Sequence, residues 1–438
     1  VLLSRLPNSF TAREAFFGGL DNPRWIAPLR RKGFFRSPPA PYASADGKST
    51  VYVLWPESRY LARMARRSSA QQEVATALAG MEQTENFRVI ADVLDALSCL
   101  PVAHSRATIE RIVSWEEGQS RVGSLIPEKF AALARHLYVS SEPTLAARVV
   151  RSLLAIRLPA YGESGGPSAR ISSWDYRRLT AAEGPLLGAI AGAWEKCDPL
   201  LSLLEDPLPV PSGAQSQDSG VSTLWRPAIE ESDQNDDSPF DALVAAVRDA
   251  VQATVDQDPA TLPRLLERLE KPGQLQGVRH RLCLHLLRTS RESDFETIAA
   301  ILRDPSHFSE IEFHHETALL LRDRFGGLEP AVQDEICRLL QAATWVEAAL
   351  KRRATEGSPL DAAGEERYRA VVTRDWLTLI APHLSGASRT LYDELTARFG
   401  EAEHPEFLSF TSGTFGAVGH ESPKAAEALA ELPPSELR

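Results

Sequence analysis

Apolar residues recur at helical spacing along nearly the whole chain, and short polar connections separate the runs. From 87 to 100, Phe87, Ile90, Leu94 and Leu97 fall at i, i+3, i+7 and i+10, while Val89, Val93 and Leu100 widen the stripe. That spacing gives one helix with a broad apolar face. Phe240, Leu243, Val244, Val247, Val251 and Val255 repeat the pattern, with Ser238 as the cap and Pro239 at the first helical position. The same reading predicts helices at about 11–20, 23–31, 57–67, 70–80, 102–116, 127–139, 143–157, 174–195, 260–270, 275–289, 294–303, 311–324, 330–350, 361–381 and 387–399. Asn22-Pro23, Asp198-Pro199, Asp258-Pro259 and Asp304-Pro305 supply start signals, each an acceptor side chain followed by a residue with a preset φ.

Such helices in tightly connected pairs predict an all-α chain, an α-solenoid of antiparallel helix pairs. One short β-hairpin is expected near 42–55, where Asp46-Gly47 precedes the strand formers Thr50 to Trp55. Residues 206–239 are acidic and rich in Pro and Ser, with too little apolar content to offset the entropy of ordering. They read as a linker, although Trp225 inside them is a candidate anchor that docks back onto the helices. The chain thus divides into a basic aromatic cap (1–72), a first helical array (73–205), the linker (206–239), a second array (240–400) and a glycine-containing segment (401–438).

Charge is unevenly spread over these units. The total is -11, yet residues 1–72 hold twelve Lys and Arg against four acids. That segment also carries Phe16, Phe17, Trp25, Phe34, Phe35, Tyr52 and Trp55. On the helix at 57–67, Arg59, Arg63, Arg66 and Arg67 form a ridge, with Arg30, Arg31 and Arg36 nearby in sequence. Guanidinium groups bind carboxylates and phosphates bidentately, so these arginines and Trp225 are the candidate partner-binding residues. The alternatives are an aromatic-packed cap whose arginines pair internally, an acidic protein partner, or nucleic acid stacked on the aromatics. The acidic remainder argues against a surface shaped overall for nucleic acid.

Motifs for chemistry are incomplete. Gly162-Glu163-Ser164-Gly165-Gly166 matches a nucleophile elbow, but a helix precedes it and Pro167 follows, so it reads as a loop. Gly47-Lys48-Ser49-Thr50 lacks the leading glycine of a phosphate loop, and Gly413, Gly416 and Gly419 follow no apolar strand. His280 with Cys283, and His314-His315-Glu316, offer no set of three or four metal ligands. Cys99, Cys197, Cys283 and Cys337 form no C-x-x-C pair, which predicts a reducing, cytoplasmic setting. No apolar run approaches the roughly 20 residues of a membrane span. The start lacks both Met and a secretory pattern, so an excerpt of a longer parent is expected.

The stretches from Trp55 to Ala65, Thr84 to Leu94, Phe313 to Glu316 and Leu320 to Val332 resemble HEAT- or armadillo-like helical-repeat proteins. They are similar to helical-repeat regions of large multidomain bacterial proteins, some in signalling and anti-phage conflict systems. The resemblance implies a non-enzymatic scaffold or sensing region without cofactor or metal, binding a protein or another part of its own polypeptide. A nucleic-acid-binding module is the alternative, and a hydrolase using Ser164 the third reading.

Overall fold

The computed structural model describes residues 9–117, 126–159, 167–188, 190, 192–208, 228–230, 238–291, 294–355 and 357–407. It is mostly helical, with two small antiparallel sheets. The first ten helices are α1 (Phe10–Gly19), α2 (Ile26–Arg31), α3 (Pro56–Ala65), α4 (Gln71–Ala79), α5 (Phe87–Leu97), α6 (Val102–Glu117), α7 (Ile126–Val139), α8 (Pro143–Leu154), α9 (Ser173–Thr180) and α10 (Ala193–Glu205). Ten more follow: α11 (Pro239–Gln257), α12 (Leu262–Leu269), α13 (Gln276–Thr289), α14 (Phe295–Arg303), α15 (Ser306–Ser309), α16 (His314–Arg324), α17 (Pro330–Ala342), α18 (Val346–Thr355), α19 (Ala362–Leu379) and α20 (Gly386–Phe399).

The start signals act as their chemistry requires at three of the four sites. Asn22 Oδ1 accepts from Arg24 N at 3.0 Å, Asp258 Oδ1 from Ala260 N at 3.2 Å and Asp304 Oδ1 from Ser306 N at 2.9 Å. Each satisfies an N–H that the first helical turn would otherwise orphan. Asp198-Pro199 differs, because Pro199 lies inside α10. The lost hydrogen bond is offset by burial of Cys197, Leu200, Leu201, Leu203 and Leu204 on the same helix.

Three expected helices change shape. The run at 174–195 stops at Thr180, and turns through Gly184 and Pro185 lead to α10. The run at 330–350 breaks at Ala343, which adopts a left-handed φ of 49°. That break seats Trp345 against Phe308 and Trp376, at ring separations of 6.1 and 6.2 Å. The run at 143–157 ends at Leu154, and Ile156–Arg157 instead pairs with Ser168–Ala169. Pro159 disfavours helix just beyond, and fully buried Ile156 gains more from the extended pairing. The expected hairpin is present but shorter, Tyr42–Ala43 against Thr50–Val51, with Gly47 at φ 67° in its loop. Trp55 is not strand; it caps α3 and is buried.

Helices pack against their second neighbours in two rows. In one row α1 contacts α3, α3 contacts α5, α5 contacts α7 and α7 contacts α9; in the other α2, α4, α6, α8 and α10 follow in order. Beyond them α11 packs on α9 and α10, α13 on α11, α16 on α13 and α19 on α16. Alongside, α14 contacts α17 and α17 contacts α20. The helices flanking the linker, α10 and α11, lie along one another, so the linker interrupts the chain but not the packing. One apolar core runs from Phe17 to Leu286 of α13, and a second begins on that helix with Leu284 and runs to Leu384.

Candidate peptide-binding site

The arginine ridge is largely engaged within the chain. Arg63 Nη2 donates to the carbonyls of Phe17 and Leu20 at 2.5 and 3.3 Å. Arg67 donates to the Asp21 carbonyl at 2.8 Å and pairs with its carboxylate at 2.5 Å. Together they satisfy carbonyls that the C-terminal end of α1 leaves without helical partners. Arg59 faces Glu14 at 4.0 Å, Arg30 faces Glu73 at 3.4 Å and Arg36 faces Glu82 at 3.1 Å. Arg31 and Arg66 are exposed. Beneath the ridge, Arg13 reaches fully buried Glu57 at 2.6 Å, and burial pushes that carboxyl upward despite the guanidinium. Trp225, Ser164 and the glycines at 413, 416 and 419 lie outside the described residues.

Buried polar side chains converge instead on α13 and α16. Both helices are covered on several sides, so their charged residues need internal partners. Arg281 and Glu316, at most 2% exposed, form a two-point pair: Nε to Oε2 at 2.8 Å and Nη2 to Oε1 at 2.9 Å. The Oε1 atom also accepts the main-chain N–H of Ile229 at 2.9 Å. Arg248 on α11 donates to the carbonyls of Ile229 and Glu230, at 3.0 and 3.1 Å. Ala228 and Ile229 are buried, although they belong to the stretch expected to be linker.

The Glu230 side chain enters a cationic socket. Arg288 donates to its carboxylate, with His285 Nδ1 at 3.6 Å and His315 Nε2 at 3.8 Å. Burial by itself would raise the Glu230 pKa; the two imidazoles and Arg288 outweigh it and hold the carboxyl well below the usual range. Burial likewise works against charge on His315, yet the carboxylates of Glu230 and Glu316 keep its pKa above the ordinary imidazole value. Asp323 takes a second N–H from Arg288 at 2.9 Å and fixes that guanidinium in place.

A second segment, the hydrogen-bonded turn from His404 to Phe407, arrives at the same helix end. His314 Nε2 donates to the Pro405 carbonyl at 3.2 Å, and His315 Nδ1 to the Glu406 carbonyl at 3.1 Å. Phe407 stacks on the His315 ring at 4.5 Å. Burial drops the His314 pKa to about 4, so this ring is neutral at physiological pH. The motif His314-His315-Glu316 therefore holds main-chain groups of two separate segments. Arg248, Arg281, His285, Arg288 and Glu230 escaped the sequence reading. The signal for two of them was Arg281 and His285 interleaved with Leu282, Leu284, Leu286 and Leu287, a helix too apolar to leave its charges in water.

The other histidine site is arranged differently. His280 Nδ1 lies 2.6 Å from Glu270 Oε1, and its Nε2 3.0 Å from His307 Nε2. Cys283 is buried, which pushes its thiol well above the usual value. Among the described residues no group of three or more His, Cys, Asp or Glu is placed to hold a metal ion. An alanine-lined cleft of about 630 Å³ lies between α11 and the chain at 177–196, and Arg248 lines it too.

The chain matches no known protein family, no characterised protein and no solved structure. Among the described residues no helix is long and apolar enough to cross a membrane.

Proposed function

We propose that this chain is a non-enzymatic protein-interaction scaffold, an α-solenoid of antiparallel helix pairs whose second array receives short irregular segments of polypeptide. The observation that carries this reading is the binding of two such segments, around Ile229 and around Glu406, to side chains of one helix end. The stacking of second neighbours supports the solenoid. So does a recurring separation between tied residues. Ser58 to Asp92 and Asp95 to Lys129 span 34 residues, and Arg281 to Glu316 and Arg288 to Asp323 span 35. A unit of that size buries only part of its apolar surface alone and leans on its neighbours for the rest.

An acidic partner suits the second array better than the N-terminal ridge, where five arginines face Glu14, Asp21, Glu73, Glu82 or the carbonyls ending α1. The nucleic-acid alternative loses support by the same pairing. Cross-linking of the full chain to proteins of its source extract, read by mass spectrometry, tests the reading. Cross-links should cluster on α11, α13 and α16 and vanish in Arg288→Glu with the helical circular dichroism unchanged. A pattern equal to that of an unrelated acidic helical protein would refute it.

A further inference from the structure

We infer that the Arg248, Arg281, His285, Arg288, His315 and Glu316 cluster is a receptor for a short acidic peptide segment carrying an aliphatic residue directly before a carboxylate. Ile229-Glu230 is its internal occupant. The inference rests on the scaffold reading and names the partner chemistry of the site.

Three observations lead here. First, the main chain of Ile229 is read at both ends by side chains, its N–H by Glu316 and its carbonyl by Arg248. Any residue but proline offers the same two groups, so this clamp is nearly indifferent to sequence. Second, selectivity comes from the next position. The Glu230 carboxylate faces Arg288, His285 and His315 from two helices, while Arg281 is already neutralised by Glu316. Without a carboxylate these groups face each other across a part-buried recess with Asp323 as the counter-charge to Arg288. An anion is favoured at that point, beside Arg288, and a peptide carboxylate supplies it. Third, the occupant lies in sequence with little apolar content of its own. Ala228 and Ile229 contribute the buried apolar surface of the described segment, and acidic, Pro- and Ser-rich sequence flanks it. The alanine-lined cleft shares Arg248 with this site.

The internal occupant belongs to the same chain and so competes at a high effective concentration. A peptide of the same sequence must therefore bind weakly to the native chain and strongly to one whose own pair is spoiled. The probe is a fluorescein-labelled peptide with the sequence of residues 224–232, followed by anisotropy on the full chain. The doubly substituted chain Ile229→Asp, Glu230→Lys should bind it at least tenfold tighter than the native chain. The milder Glu230→Gln should give a severalfold gain and serves if the double variant is unstable. Adding Arg288→Glu should abolish the gain, and a peptide with Gln in place of the glutamate should bind at least tenfold more weakly.

Equal, weak binding by native and opened chains with native circular dichroism would overturn the inference. So would displacement of the peptide by a single-stranded oligonucleotide as readily as by unlabelled peptide, which would mark an unselective anion patch. Either failure would leave standing a scaffold whose cross-links still map to these helices, so the two readings fail separately.

Discussion

Arg281 and Glu316 meet through two parallel hydrogen bonds inside the protein, one from Nε at 2.8 Å and one from Nη2 at 2.9 Å. A pair this buried gains little over an apolar pair of the same shape, but losing one partner strands the other. Glu316→Ala should lower stability by about 3–5 kcal/mol, whereas the double change Arg281→Met, Glu316→Leu should cost far less. Urea midpoints of the second array, followed by the fluorescence of Trp345 and Trp376, measure both. Equal losses in the single and double variants would show that the pair is not the buried unit described.

Two groups respond to acid in opposite directions. Burial raises Asp92 to about 6, although Ser58 Oγ donates to it at 2.6 Å. Its folded pKa exceeds the unfolded one, so the folded state takes up a proton first as pH falls, and stability at this site rises between pH 6 and 4. His314 has the reverse sign. Burial lowers it to about 4, the unfolded state is protonated first below pH 6.5, and stability falls from there to pH 4, by up to about 3 kcal/mol. Asp92→Asn should stabilise the protein near pH 7.5 by about 1 kcal/mol and flatten the first response; His314→Gln should flatten the second. Melting curves from pH 7.5 to 4.5 decide it, and parallel shifts in native and substituted chains would contradict both assignments.

Arg63 and Arg67 tie α3 and its following turn to the end of α1. Arg63→Ala should cost about 1–3 kcal/mol, as expected for carbonyls losing a charged donor. It should also speed amide exchange in α1. Charge reversal at exposed Arg31 or Arg66 should stay within about 0.5 kcal/mol of native stability. Equal effects at all four arginines would mean that the ridge is a solvated face.

Ala343 sits at φ 49°, where a Cβ costs about 1–2 kcal/mol and glycine avoids the penalty. Glycine's greater freedom in the unfolded chain offsets part of that gain. Ala343→Gly should therefore raise stability by about 0.5–1 kcal/mol, checked by thermal melting. Destabilisation would show that the helix prefers to run on through Trp345.

These elements also show what the chain's pattern could and could not convey. Helices with one wet face, such as α5 and α11, announce themselves because Ile90, Leu94 and Leu97, or Phe240, Val244 and Val247, repeat at a helical period against polar neighbours. The caps at Asn22, Asp258 and Asp304 are equally local and equally plain. The break at Ala343 was hidden, because what stops that helix is tertiary: burial of Trp345 between Phe308 and Trp376 has no local signature, whereas Gly184-Pro185 marks the interruption after Thr180 in the sequence itself. The cluster on α13 and α16 was hidden for a related reason. Arg281 and Glu316 lie far apart in sequence on helices enclosed on several sides, where polarity no longer marks the solvent face. Ile229 is one aliphatic residue among prolines, serines and acids, and only its burial against Glu316 distinguishes it.

Hydrogen exchange at the Ile229 amide tests the central claim most directly. That N–H is bonded to Glu316 and should exchange slowly in the native chain. Saturating peptide of the 224–232 sequence should accelerate its exchange at least tenfold while the amides of α5 keep their protection. Peptide bound at saturation with the Ile229 amide still fully protected would contradict the account, because the ligand and the chain's own segment would then occupy different places.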